Sequence, residues 1–421
     1  MKHTTVFIIM DAGRHDYVRA DSMPFTHGLA QDAITGSFES PPGFAQRTVL
    51  FSGRYPDTSN NFSAFVFDPE RSPFTWVKNL GPLGSMIKPR KVMVPARWGI
   101  ARMTKWITDA YHADPAWIPP KFLPFFRPCE DMKPIHEPGA LGATSIFDLC
   151  REHGLTYRYL AHPVSGDDND VHRTLVRELR EGKPYDLYVA QFSVCDQQGH
   201  VHGPFSDAMQ KGYLRDLDQK FASIHAALSQ SYDSWDLFIC GDHGMGPVER
   251  QVDVLAALEG IDAEPGKDYV VFVNSTLAVF WYNTEKGRRA VEEAIARIPG
   301  THLVDEAERR RRRIPLDRQW GDRMLAAEPG VLFWPDYFHV TDSRILGMDG
   351  YLDKRDEGMG AMVLASSGRH TATRHVGQRS LADVFPTLCE LLGVPVPATN
   401  EGESLLATKP ERQRLPPVAA R

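Results

Sequence analysis

Residues 4–14, TTVFIIMDAGR, decide the fold. Seven β-branched, aromatic or otherwise apolar-leaning residues run to Met10 with no polar alternation and stop abruptly at Asp11. That pattern predicts a parallel strand buried on both faces, with a polar group at its C-terminal end. The same pattern recurs twice. Residues 185–194, YDLYVAQFSV, lead into Cys195 and Asp196, and residues 235–240, WDLFIC, lead into Gly241, Asp242 and His243. Between them Leu214, Leu217, Phe221, Ile224 and Leu228 fall at helical spacing and predict an amphipathic crossover helix. Strand, helix, strand in that order predicts an α/β fold, a mostly parallel central sheet with helices on both faces. Ligands are expected at the C-terminal ends of such strands.

The rest of the chain bounds the reading. With 421 residues, 42% hydrophobic and 24% charged, it is long enough for one large catalytic core carrying insertions. A net charge of −6 gives no global attraction to a nucleic-acid backbone, so a phosphate site must be local and no nucleic-acid polymer is expected as partner. Five widely spaced cysteines form no CxxC pair and are expected to be reduced and mostly buried. The first apolar run is short and interrupted by Asp11, fitting neither a signal peptide nor a membrane span; no transmembrane segment and a cytoplasmic location are the expectation.

The expected organisation is a core in three parts, 1–67, 139–248 and 361–406, with a cap insertion at 68–138, a second insertion at 249–360 and a flexible tail at 407–421. The first insertion is rich in Pro, Trp, Phe and basic residues, as in DPAWIPPKFLPFFRP. Its aromatics, among them Trp76, Trp98, Trp106, Trp117, Phe122, Phe125 and Phe126, suit either a stacking surface for substrate or the cap's own small core. The run Arg309 to Arg313 in the second insertion reads as a solvated helix face.

Strand ends and their flanks deliver the chemistry. Asp11, Asp196 with His200, and Asp242 with His243 follow the three strands, and His370 lies just after the apolar run 362–365. Carboxylate oxygen and imidazole nitrogen are donors that zinc and manganese accept, and six such groups suffice for two three-ligand sites. A pair of such ions polarises an ester oxygen and stabilises entering and leaving groups together.

This ordered set resembles the alkaline phosphatase superfamily, specifically its type I phosphodiesterase/nucleotide pyrophosphatase branch. The matching pieces are FIIMDAGR (7–14), SGRYPD (52–57), DQQGHVHGP (196–204), GDHGM (241–245), GRH (368–370) and DVFPTLCELLGVPVP (383–397). The resemblance implies an alkaline-phosphatase-like fold, two divalent metal ions, zinc or else manganese, and a small-molecule phosphate ester as substrate. It implies that Asp196, His200 and His370 hold one ion and that Asp11, Asp242 and His243 hold the other. His375 competes with His370. His202, His15 and Asp16 are left as supporting or surface groups.

One departure matters. The family's nucleophile, counted back from its Gly-x-Tyr-Pro turn, lands on Gly43, which has no side chain with which to attack, and the sulfatase signature is absent as well. Three routes stay open: attack by a metal-bound hydroxide, substitution by Ser40 or Thr48, or a chain that transfers a phospho- or sulfo-group, or only binds metal without turnover. Gln46 and Arg47 follow the gap and suit phosphoryl-oxygen contacts. Asn61, with Asn60 beside it, falls near the branch's oxyanion-contacting asparagine, and Ser59 stands where a histidine is usual.

Overall fold

The strand His3–Met10 is buried along all but its first residue, and its side chains divide by the period of two that a pleated strand imposes. Val6, Ile8 and Met10 join one apolar cluster, with Leu217, Phe221 and Ile224 of the helix Leu214–Ser231. Phe7 and Ile9 join a second cluster on the opposite face. There they meet Phe51, Phe147 and Phe385 from the helices Gln46–Ser52, Ile146–Glu152 and Val384–Leu392. Each fully buried Phe or Ile contributes about 1.5–3 kcal/mol over its exposed state, so a strand committed on both faces has no alternative register. The structure is a computed structural model and describes residues 2–44, 46–81, 93–108, 114–129, 133–161, 164–339, 344–353, 355–368 and 373–407.

This strand is central in a seven-stranded sheet. The order is Arg374–Ser380, Ile34–Glu39, Gly360–Ser366, Ser234–Gly241, His3–Met10, Leu187–Phe192, Tyr157–Leu160. The expected parallel pairings hold: His3–Met10 runs parallel to Leu187–Phe192 and to Ser234–Gly241. Gly360–Ser366, the strand around the apolar run 362–365, is antiparallel to both its neighbours, making the sheet mixed but mostly parallel. Asp11, Asp196 and Asp242 thus follow three adjacent strands that all point one way.

Residues 62–126 and 248–352 share one interior, which reaches past the expected insertions into residues 62–66 and 248 of the expected core. Tyr269–Val273, Leu277–Tyr282, Arg323–Ala327 and Thr301–Val304 form a four-stranded antiparallel sheet. Phe67 and Phe126, on the antiparallel strand pair Phe65–Phe67 and Phe126–Pro128, pack their rings on Trp281 at 5.1 and 5.4 Å. Phe122, Phe126 and Trp117 are buried, which favours the reading of a cap core for those three, whereas Trp98 and Trp106 lie open to solvent. The basic run is not simply a solvated face. Arg309 is buried and donates to the carbonyls of Gly321 and Pro315, and Arg313 pairs with Asp57 and Glu401, tying the second insertion to the core. Four cysteines are buried, Cys129 is half-buried, and none of the five forms a disulfide. Among the described residues, no helix is long and apolar enough to cross a membrane.

Candidate metal centre

The turn after His3–Met10 brings Asp11 and Asp242 together. Ala12 takes a left-handed conformation, and its N–H donates to Asp242 Oδ1 at 3.3 Å. Gly241 permits this approach: a Cβ there would sit 1.9 Å from the carbonyl oxygen of Gly13. Asp11 accepts from Gln191 Nε2 at 2.8 Å, and His243 Nε2 lies 3.4 Å from Asp11 Oδ1 and 3.8 Å from Asp242 Oδ1.

The second group rests on the helix Val194–His202. Asp168 caps its start by accepting from the N–H groups of Ser193 and Val194 at 3.0 and 2.9 Å. Asp196 and His200 lie one turn apart on one face, with His200 Nε2 3.1 Å from Asp196 Oδ1. Asp349 completes the group from the loop after the short strand Gly347–Met348. Its Oδ2 stands 3.9 Å from His200 Nε2 and 3.8 Å from His243 Nδ1, between the two histidines. In each group one donor atom per residue lies within 4.8 Å of the others.

The donor set fits divalent cations. His200 Nδ1 lies 2.8 Å from the carbonyl of Gly347, and His243 Nδ1 lies 3.0 Å from that of Gly244. A carbonyl only accepts, so both Nδ1 atoms donate to it and both Nε2 atoms face the carboxylates, the orientation a metal-ligating imidazole needs. The electrostatics agree. Burial, reinforced by Asp11 and Asp196, pushes Asp242 up to about 7 against the pull of His243. Burial and then Asp11 raise Asp196 also. Against burial, Asp196 and Asp349 lift His200 to about 9, and Asp242 and Asp349 lift His243. Asp11 alone is lowered: burial opposes this, and the hydrogen bond with His243 prevails. Four carboxylates converge on two imidazoles, an excess of negative charge that divalent cations offset.

Beside these groups lies a cavity of about 360 Å³, lined also by Gly43, Phe44, Gln46, Arg47 and Gln191. Gly43 borders it with a φ of +90°, and a Cβ there would lie 2.2 Å from the Phe62 carbonyl oxygen and 2.7 Å from its ring. The backbone therefore excludes any side chain at the position where the resemblance implies a nucleophile. Gln46 Nε2 donates to the Gly43 carbonyl at 2.6 Å and pins this loop, while Phe44 stacks on Phe338 at 5.0 Å.

Not every expected residue arrives here. Ser40 is buried and lines a smaller adjoining pocket of about 30 Å³ with His243 and Asp349. Asn61 donates to Thr48 Oγ1 at 2.7 Å and accepts from Cys129 Sγ at 3.1 Å, and neither Asn61 nor Thr48 is among the cavity's lining residues. Asn60 accepts from Trp320 Nε1. His375 sits on the edge strand by Thr35, and Asp16 is held by Arg14. His370 lies outside the described residues.

Two features escaped the sequence reading. Asp349 is one; its position between Gly347 and Gly350 in GMDG is the signal available. The other is a trio of buried Asp336 and Ser275 with half-buried His339. Asp336 accepts from Ser275 Oγ at 2.7 Å and lies 3.0 Å from His339 Nδ1. It also accepts from the N–H groups of Phe338 and His339, the local turn that Asp favours. Both Ser275 and His339 line the cavity, with the His339 ring 5.5 Å from that of His200.

Comparison with known proteins agrees with this geometry. Residues 125–352, more than half of the chain, match the family model described as type I phosphodiesterase / nucleotide pyrophosphatase. Over 167 residues the chain is 25% identical to GPI ethanolamine phosphate transferase 2 of Candida glabrata. That match takes in 38% of this chain and only 18% of the relative's length. The fold is similar to murine ectonucleotide pyrophosphatase / phosphodiesterase 5, with a TM-score of 0.66 at 16% identity, covering 95% of this chain and 97% of the other. It is similar also to an inactive form of the murine protein in complex with AMP, with a TM-score of 0.67 at 15% identity over 96% and 98% of the two chains. The human counterpart gives 0.67 at 16% identity, over 95% and 97%. The family model spans more than half of the chain, and the two three-donor groups line one cavity; the chain belongs to the type I phosphodiesterase / nucleotide pyrophosphatase family.

Proposed function

We propose that the protein is a two-metal-dependent hydrolase of small phosphodiester or pyrophosphate-type esters, in which water takes the place of the side-chain nucleophile. The observation that carries this reading is the pairing of two three-donor groups with a glycine that has no room for a side chain. Asp11, Asp242 and His243 would hold one ion; Asp196, His200 and Asp349 would hold the other. Zinc suits this mixed donor set best, manganese next, and when bound such ions supply Lewis acidity and bring the pKa of a coordinated water to about 7. Arg47, on the cavity wall, has the planar donor fork that suits non-bridging phosphoryl oxygens. The stacked Phe44 and Phe338 rings offer an aryl or nucleobase leaving group a flat apolar wall.

The test is hydrolysis of bis-p-nitrophenyl phosphate by zinc-loaded wild type beside Asp242→Ala, with the monoester and the sulfate ester in parallel. The reading expects preference for the diester and a loss of about 10³-fold in the variant, the size of an effect worth several kcal/mol of transition-state stabilisation. No turnover of any of the three by protein that binds two metals would favour a silent metal-binding homologue. The ethanolamine phosphate transferase match supports a second reading, transfer to an acceptor alcohol. Adding glycerol as acceptor alcohol and analysing products of the diester separates the two: both routes release one p-nitrophenol, and a mixed p-nitrophenyl glyceryl phosphate in place of p-nitrophenyl phosphate favours transfer.

A further inference from the structure

The helix Met93–Thr108 turns an unusual face to solvent. Its inner side is anchored: Ile100 and Thr104 are buried, and Trp76 Nε1 donates to Thr104 Oγ1 at 3.3 Å. Arg97 binds Asp114 at 2.8 Å and lies over the Trp117 ring at 4.8 Å. On the outer side the 3.6-residue repeat puts Trp98, Arg102 and Trp106 in one row and Met103 and Ile107 in the next. Trp98 and Trp106 are 75% and 79% exposed, Met103 and Ile107 43% and 52%. Such a cluster of large apolar side chains on one surface marks an interaction site, and its two indoles with cations between them suit an apolar–aqueous boundary.

Charge identifies the partner. Between Glu70 and Asp109 the sequence contains no acidic residue, although the whole chain carries −6. Arg102 and Lys105 are exposed beside the two tryptophans. Meeting a second copy through this face would oppose like charges across a twofold axis, with no carboxylate on the helix to relieve them. An anionic bilayer offers both complements, an apolar boundary for Trp, Met and Ile and phosphate groups for Arg and Lys. We propose that this helix docks the protein on an anionic membrane surface, lying in the interface plane with Trp98 and Trp106 inserted. The surface is separate from the metal centre and does not depend on the reading given to it.

The experiment is vesicle co-sedimentation with tryptophan fluorescence, comparing pure phosphatidylcholine with phosphatidylcholine mixed with phosphatidylglycerol. Wild type should bind the mixed vesicles, with a blue-shifted emission, and lose binding as salt is raised. The double variant Trp98→Ala/Trp106→Ala should bind about tenfold or more weakly, with its circular dichroism and melting temperature unchanged because both side chains are exposed. Arg102→Glu/Lys105→Glu should lose the preference for anionic vesicles. Failure of wild type to bind, or equal binding by the tryptophan variant, overturns the proposal. A concentration-dependent dimer in light scattering that the tryptophan variant abolishes, with no vesicle binding, overturns it in favour of self-association.

Discussion

Asp349→Ala is expected to lower diester turnover by about 10³-fold and to reduce bound metal from two ions toward one per chain, measured by elemental analysis of the purified protein. The expectation follows from its place. Asp349 Oδ2 stands within 3.9 Å of both histidines, so it is the donor that touches both groups. Removing it also removes a carboxylate that lifts His200 and His243, leaving two imidazoles less able to carry a proton in the metal-free protein. His370→Ala is the informative companion, because the family resemblance implies His370 as the third ligand of the same ion. The account expects the Asp349 variant to lose the larger share of metal and activity. A fully active, fully loaded Asp349→Ala enzyme would remove this residue from the centre.

The second large effect concerns the missing nucleophile. Gly43→Thr puts a hydroxyl where the resemblance implies a nucleophile, yet it is expected to give no gain in turnover and to destabilise the fold by about 3 kcal/mol. The sum has two parts. A left-handed conformation costs a side chain of this kind about 1–2 kcal/mol, and overpacking against a fixed backbone costs about 1–3 kcal/mol. The new Cβ would lie 2.2 Å from the Phe62 carbonyl oxygen, a backbone atom that cannot swing aside. Phe62 is itself buried and its ring meets Trp320 at 6.0 Å, so relief would have to propagate into the shared core of the insertions. Thermal melting reads the stability and diester hydrolysis reads the turnover. A faster Gly43→Thr enzyme with an unchanged melting temperature would mean that the loop accommodates a nucleophile after all.

What was legible in the sequence follows the strength of the physical signal. The strands His3–Met10, Leu187–Phe192 and Ser234–Gly241 are largely buried on both faces, so they read as mainly apolar runs, and a carboxylate follows each: Asp11 and Asp242 directly, Asp196 in the first turn of the next helix. Five of the six donors that resemblance placed at the metals fall into the two groups for that reason. The edge strand Arg374–Ser380 and its neighbour Ile34–Glu39 are partly exposed and polar, RHVGQRS and ITGSFE, and carry no such run. Asp349, Asp336 and His339 stand in loops, where no period marks which polar side chain turns inward. Arg309 misled the reading in the opposite sense: a run of five arginines looks solvated, and only the carbonyls of Gly321 and Pro315 make burial of one tolerable.

Direct attack by water is the centre of this account, and Ser275 is the hydroxyl among the described residues lining the cavity that offers a rival nucleophile. Its proton already goes to Asp336 at 2.7 Å. The stereochemical course at phosphorus separates the two. A diester made chiral by one sulfur would be hydrolysed in isotopically labelled water and the configuration of the product determined. One in-line displacement by water inverts phosphorus, and inversion is the predicted result. Retention would require two displacements through a covalent phospho-enzyme and would contradict the account.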